Sequence, residues 1–187
     1  MLSRPILTRA LLFLLTLLLF GCGSGSRVVT PSLHAGYFPS RDGALQYRLP
    51  VGWFDATADS QATAHAIWLM RNDYGASITV DEIRLDAAAR KEIERGGLLQ
   101  LAQLVMALTT GEHGAMLLEP PAVVTVNGRP FCRYEMVASA TRDTLRVALF
   151  DTGEKAYVVT ALLPEKVARR DPQFTTVHES FLSTLRW

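Results

Sequence analysis

Several motifs that carry chemistry are missing from this chain of 187 residues. Its four histidines include no pair at helical spacing, and there is no HExxH motif and no Cys/His cluster. We therefore predict no metal site. No serine stands in a GxSxG elbow, and no two carboxylates stand out as an acid/base couple. These absences predict a protein that is not an enzyme and needs no cofactor.

A strong charge of either sign is also missing. The chain has 19 lysines and arginines against 18 acidic residues, and its formal net charge is +1. No run of basic residues forms the positive stripe that nucleic-acid binding requires. We predict that nucleic acid is not a partner.

Cysteine is scarce, because Cys22 and Cys132 are the only two in the sequence. Cys132 lies in a strand-like run in which Cys132, Tyr134 and Met136 alternate with charged residues. Free cysteine in such a setting behaves as a small buried hydrophobe, and a catalytic thiol would need a neighbouring base. We expect Cys132 to be a packing residue.

Long apolar runs are absent except at the start of the chain, where Leu11 to Phe20 is apolar apart from one threonine. As a helix this run is about 15 Å long, roughly half of a bilayer's hydrocarbon thickness. Arg4 and Arg9 precede the run and a small residue, Gly21, follows it. A charged region, an apolar region and a small-residue cleavage site together predict an export signal over residues 1–21.

The residues around Cys22 resemble the lipobox of bacterial lipoproteins, with Leu19 three positions before the cysteine and Gly21 one before it. The resemblance implies cleavage before Cys22 and fatty acyl chains, such as palmitate, that anchor the protein in a membrane. The residue after the cysteine is Gly23 and not aspartate. By the same resemblance this favours the outer membrane of a Gram-negative cell envelope.

The chain after the cleavage site divides into a short tether and one domain. Residues 22–36 begin with Gly-Ser-Gly-Ser, which is typical of a flexible linker. Residues 37–187 show no repeat and no second boundary, so we predict a single domain.

Turn residues such as Asn127-Gly128 separate the predicted strands. The strands are predicted at Ala44–Leu49, Ala64–Arg71, Ala76–Leu85, Ala122–Val126, Phe131–Ser139, Thr144–Phe150 and Ala156–Leu163. In the third of these, Ile78 and Val80 share one face whereas Ile83 and Leu85 share the other, which predicts a bulge or strand end near Asp81.

Two helices complete the prediction. The first begins at Ala87 after the capping residue Asp86, is interrupted at Gly96-Gly97, and resumes as the apolar run Leu98–Leu108. The last begins near Asp171 and Pro172. Its core stripe is predicted to be Phe174, Val177, Phe181, Leu182 and Leu185. Hairpins with helices between and after them predict an α+β fold with a central antiparallel sheet flanked by helices.

Two segments resemble the photosystem II PsbP/Mog1-like group of proteins. The first is Tyr47-Arg48-Leu49-Pro50-Val51-Gly52-Trp53, a strand that runs into a Leu-Pro-x-Gly-Trp turn, and the second is Phe181-Leu182-Ser183-Thr184-Leu185 at the end of the last helix. The resemblance implies an α-β-α sandwich that acts as a binding or assembly accessory. It implies no shared catalytic residues.

Aromatic residues offer the only candidate contacts for a partner. Trp53, Tyr74 and Trp187 could line a binding surface, and Trp53 and Tyr74 together are the candidate partner contacts. The alternative is that Trp53 and Trp68 are core or turn lids and that Trp187 caps the last helix. The leading hypothesis is a lipid-anchored, non-enzymatic envelope protein that binds or stabilises another envelope component. A carrier of an apolar small molecule, with a pocket beneath the Leu98–Leu108 helix, is the alternative, and an envelope hydrolase is a third.

Overall fold

The structure, a computed structural model, describes residues 31–62, 64–168 and 174–187. Nine strands and three helices lie in these ranges. The strands are β1 (Phe38–Pro39), β2 (Gln46–Tyr47), β3 (Trp53–Asp55), β4 (Ile67–Arg71), β5 (Ser77–Ile83), β6 (Ala115–Val126), β7 (Arg129–Ala138), β8 (Thr144–Asp151) and β9 (Ala156–Leu163). The helices are α1 (Ala87–His113), α2 (Glu165–Ala168) and α3 (Phe174–Thr184), and a 3-10 turn spans Ser60–Ala62.

Seven strands form one antiparallel sheet in the order β3-β4-β5-β9-β8-β7-β6, and β1 and β2 pair separately. Successive side chains of a strand point to opposite faces, and both faces of this sheet are covered. On β7, Cys132 and Met136 pack with α1, whereas Phe131 belongs to the cluster that contains Phe181 of α3. The predicted α+β sandwich with a central antiparallel sheet is therefore confirmed.

Local sequence signals placed several elements correctly. The Asp86 side chain accepts a hydrogen bond from the Ala89 N–H at 2.7 Å and caps α1. Inside that helix Gly97 has φ 66° and ψ −163°, so the helix is broken at the predicted glycine pair. At the β6–β7 hairpin Asn127 and Gly128 both have positive φ, as a type I′ turn requires. The predicted start of the last helix, at Asp171 and Pro172, lies outside the described residues.

The predicted bulge near Asp81 is absent, and its alternative, a strand end, lies two residues further on at Ile83. Strand β5 pairs with β9 without interruption from Ser77 to Ile83. Ile78 packs in the α3 cluster and Ile83 packs against the α1 cluster. The apolar positions change parity because each half of the strand is buried against a different helix.

Strand β6 starts at Ala115, seven residues earlier than predicted, and runs through Pro120 and Pro121. A proline cannot donate to a strand ladder, so it is confined to edges and bulges. Strand β6 is the last in the sheet, and its register shifts twice between Leu117 and Ala122. The edge position explains why a proline pair does not end this strand.

Contacts with the domain begin earlier than the predicted boundary at residue 37. The His34 N–H donates to the Leu49 carbonyl at 2.9 Å, and the Val51 N–H donates to the Ser32 carbonyl at 2.8 Å. Ser32 to His34 thus pair with the turn after β2. Residues 31, 35 and 36 are the other tether residues that the structure describes, since residues 22–30 lie outside it.

Candidate functional site

A group of large apolar side chains is exposed where helix α1 turns into strand β6. Leu108 is 60% exposed and Leu118 is 50% exposed. We call this surface the apolar band. Its members are Leu104 and Leu108 of α1 and Leu117 and Leu118 of β6.

The chain turns at Gly114 between the two parts of the band. This glycine has φ 56°, and its N–H donates to the Thr110 carbonyl, which ends the helix. Leu108 lies about 9 Å before Gly114 along the helix, and Leu118 lies about 13 Å after it along the strand. Since α1 packs beside β6, the two side chains come to a similar height on neighbouring elements.

Nearer its middle, α1 packs on the sheet. Leu101 and Ala102 are fully buried there in one cluster with Cys132 and Met136. The carrier hypothesis needs an apolar pocket in this space, which these four side chains occupy. The two clefts described next lie elsewhere and are lined mainly by polar and charged residues.

The first cleft lies between α3 and strands β7 and β8, and its volume is about 220 Å³. His178 of α3 lines it, although this residue is only 2% exposed. The Nε2 atom of His178 has no hydrogen-bond partner within the described residues. Burial, with Arg146 and Arg133 adding positive charge nearby, lowers the pKa of His178 to about 3. His178 is therefore neutral and can offer one hydrogen bond to a group that enters the cleft.

Ion pairs compensate the two arginines of this cleft. Arg133 Nη1 lies 2.8 Å from Glu179 Oε1, and Arg146 Nε lies 2.6 Å from Glu135 Oε2. Each guanidinium is thus held by a carboxylate, and the cleft presents no free positive charge. The sequence contained one signal for this arrangement, which is a histidine at the centre of the apolar stripe of α3.

The second cleft has a volume of about 180 Å³, and Asp42, His65 and Glu82 help to line it. Beside it, Lys155 Nζ lies 3.0 Å from Asp42 Oδ2 and 2.8 Å from Glu82 Oε2. Burial opposes ionisation of Asp42, but hydrogen bonds from Ser40 and Lys155 outweigh it and lower the pKa of Asp42 to about 2. His65 Nδ1 lies 2.5 Å from Asp81 Oδ1 in the same region. These contacts tie the β1–β2 loop to the sheet.

The predicted aromatic pair is divided between core and surface. Trp53 is 5% exposed and stacks on Phe174 with ring centroids 6.3 Å apart, so the expectation that it lies on a binding surface is wrong. The turn after Pro50 folds this ring into the core. This is the alternative role, a core or turn lid, that the sequence offered for Trp53. Tyr74 is 71% exposed and has φ 58° at the tip of the β4–β5 loop. A partner contact at Tyr74 stays a prediction.

The two cysteines are further candidates from the sequence. Cys132 is fully buried, and burial raises the pKa of its thiol, as befits a packing residue. Cys22 lies outside the described residues. Within the described ranges no three His, Cys, Asp or Glu residues form a group that could hold a metal ion. None of the helices described in those ranges is long and apolar enough to cross a membrane.

Solved structures with a similar fold include the following two. The solution structure of cyanobacterial PsbP (CyanoP) from Synechocystis sp. PCC 6803 matches with a TM-score of 0.57 and 11% identity, over 88% of this chain and 98% of that one. The Ran-binding protein Mog1p of Saccharomyces cerevisiae matches with a TM-score of 0.53 and 16% identity, over 83% and 96%. The chain has the PsbP/Mog1-like fold. No protein-family model matches the chain, and no curated protein matches its sequence.

Proposed function

We propose that this chain is a non-enzymatic lipoprotein of the bacterial cell envelope, anchored through Cys22, whose domain binds another envelope protein. The apolar band is the observation that carries the proposal. Exposed apolar side chains usually occur singly on a monomer, and a contiguous group of large ones marks an interaction surface. Four such residues on two adjacent elements are difficult to explain as ordinary surface.

The position of the band on β6 also favours a protein partner. The side of β6 that faces away from β7 is the edge of the sheet. Pro120 and Pro121 block part of this edge, but Ala115 to Glu119 carry backbone groups that an extended segment of a partner could pair with. Apolar side chains beside an open strand edge suit such a segment.

The fold likeness supports the same class of function. A protein named for binding Ran, Mog1p, has this fold, so the sandwich can serve as a protein-binding module. Fold alone does not transfer the partner, and for this chain the partner belongs to the envelope because the signal and Cys22 direct it there.

The anchor is supported by Leu19, Gly21 and Cys22, and the outer membrane by Gly23. Replacement of Cys22 by serine removes the thiol that takes the diacylglycerol. We expect the C22S precursor to stay uncleaved and to take up no labelled palmitate. Normal processing and labelling of C22S would contradict the anchor.

The binding surface is tested by substitution. The double variant Leu108→Gln/Leu118→Gln makes the centre of the band polar, and Leu99→Gln, an exposed position on α1 outside the band, is the matched control. We expect chemical crosslinking in intact cells to join the wild type and Leu99→Gln to one envelope protein. The double variant should lose most of that product while its thermal unfolding stays close to that of the wild type. Equal yields from all three would reject the band as the binding surface.

A further inference from the structure

The end of the domain next to the tether carries exposed aromatic rings interleaved with arginines. Trp187 is 39% exposed, and Tyr37 and Phe38 are exposed to a similar degree. We call this surface the aromatic–arginine face. Its members are Tyr37, Phe38, Arg48, Arg129, Arg186 and Trp187.

Contacts between rings and guanidinium groups make the face continuous. The Arg186 guanidinium lies 3.7 Å from the Tyr37 ring centroid, and the Arg129 guanidinium lies 4.2 Å from the Trp187 ring centroid. The backbones of Arg186 and Gln46 exchange hydrogen bonds of 2.9 Å. This bridge joins the end of the chain to the β1–β2 pair, which carries Phe38.

The three arginines hold no carboxylate among the described residues. Arg48 Nε donates to the His34 carbonyl at 2.7 Å, and Arg129 Nη1 donates to the Leu185 carbonyl. Arg186 contacts the Tyr37 ring. In both clefts described above, by contrast, basic side chains lie beside carboxylates. The positive charge of this face is therefore available to an anionic partner.

The face also lies beside the point where the tether joins the domain. Ser32 and His34 pair with the backbone of Leu49 and Val51, and His34 accepts from Arg48. Eleven residues run from Cys22 to Ser32, and a chain of that length spans at most about 40 Å. An acylated Cys22 would thus hold the face close to the membrane surface.

We propose that the aromatic–arginine face docks on the anionic phospholipid headgroups of the membrane that holds Cys22, an inference that rests on the proposed acylation of Cys22. Tyrosine and tryptophan rings favour the level of the headgroups, and unpaired arginines are attracted to anionic lipids. Because rings and arginines alternate in one face, that face suits both the interfacial level and the negative charge of anionic headgroups.

Docking in this orientation has a consequence for partner binding. Strand β6 runs from the β6–β7 hairpin, beside the face, to Leu118 about 25 Å away. The apolar band then points away from the lipid. A membrane-docked domain would present the band to a partner at a set height above the bilayer.

The test uses the acylated protein purified from cells and checked for palmitate. It is reconstituted into nanodiscs of phosphatidylcholine alone or with about one-third phosphatidylglycerol, each containing phosphatidylcholine brominated near the glycerol. Bromine quenches tryptophan fluorescence at short range. We expect quenching in the anionic discs only and its loss in Trp187→Phe. Trp53→Phe and Trp68→Phe, which remove the other two tryptophans, should keep it.

Charge variants separate docking from the anchor. Arg186→Gln should lower the ratio of docked to undocked domain roughly fivefold, as expected for one arginine at an anionic surface. Arg142→Gln, at the opposite end of the sheet on the β7–β8 loop, should leave the ratio unchanged. If the protein purified from cells carries no acyl chain and does not stay with the discs, the proposed function is wrong. An acylated chain with equal quenching in both kinds of disc, or one that pairs with a second copy through this face, would overturn the docking.

Discussion

The Trp53 ring stacks on the Phe174 ring, with centroids 6.3 Å apart. This contact joins the turn after Pro50 to the first residue of α3. Both residues belong to the core cluster on the α3 face of the sheet. The turn and the last helix, which carry the two segments that resemble PsbP/Mog1-like proteins, therefore stabilise each other directly.

The first prediction separates the two aromatic residues that the sequence had grouped. Trp53→Ala removes a buried ring and should lower the free energy of unfolding by about 3–5 kcal/mol. Tyr74→Ala removes an exposed ring that contacts Phe54 and should cost about 1 kcal/mol or less. Urea denaturation of both variants measures the difference. Similar losses in the two variants would contradict the burial of Trp53.

The second prediction concerns pH and His178. The pKa of this residue is lowered from 6.5 to about 3 in the folded state, so below about pH 6.5 the unfolded chain binds a proton that the folded chain does not. The neutral His178 therefore contributes fully to the free energy of unfolding above about pH 6.5. This contribution is lost as the pH falls towards 3, by up to roughly 1.4 kcal/mol per pH unit.

The check for His178 is urea denaturation of the wild type and His178→Gln between about pH 4.5 and 7.5. Asp42, whose folded pKa is lowered from 3.8 to about 2, exerts its main effect at lower pH. His178→Gln should show a shallower fall in stability across this range than the wild type does. Parallel curves for the two proteins would mean that His178 takes up a proton without unfolding.

The third prediction tests the break in α1. Gly97 has φ 66° and ψ −163°, a region that only glycine occupies without strain. Gly97→Ala should destabilise the protein by about 1–3 kcal/mol. Gly36→Ala is the control, because a Cβ there meets open space and the backbone is unstrained. A neutral Gly97→Ala would mean that the helix runs straight through this position.

The fourth prediction is a count of reactive thiols in the protein purified from cells. Cys132 is fully buried, and burial raises its pKa, so it should not react with a thiol reagent in the folded protein. In urea one thiol should react if Cys22 carries lipid. Two reactive thiols in urea would contradict acylation of Cys22, and rapid reaction of Cys132 without urea would contradict its burial.

Local signals predicted much of the fold because the relevant interactions are local. A carboxylate at Asp86 can reach the Ala89 N–H only if a helix begins there, and Asn127-Gly128 favours the backbone of a type I′ turn whatever surrounds it. The burial stripe of α3 could be read from its spacing for the same reason. Each of these features needs only a few residues of sequence.

The wrong predictions concern features that depend on residues distant in the sequence but close in space. The parity change in β5 reflects two helices on opposite faces, and the sequence of β5 alone resembles that of a bulged strand. The proline pair in β6 is tolerated because the strand lies at the edge of the sheet. The cleft beside His178 needs two arginines and two glutamates from three elements, whereas the sequence showed only a histidine within an apolar stripe.

Site-specific photocrosslinking in living cells tests whether the apolar band contacts another envelope protein. A benzophenone side chain at position 108 replaces Leu108 in the band, and one at position 94 replaces Glu94, an exposed residue of the same helix. We predict a discrete product with a single envelope protein from position 108 and none from position 94. Absence of a product at position 108, or the same products from both positions, would contradict the claim.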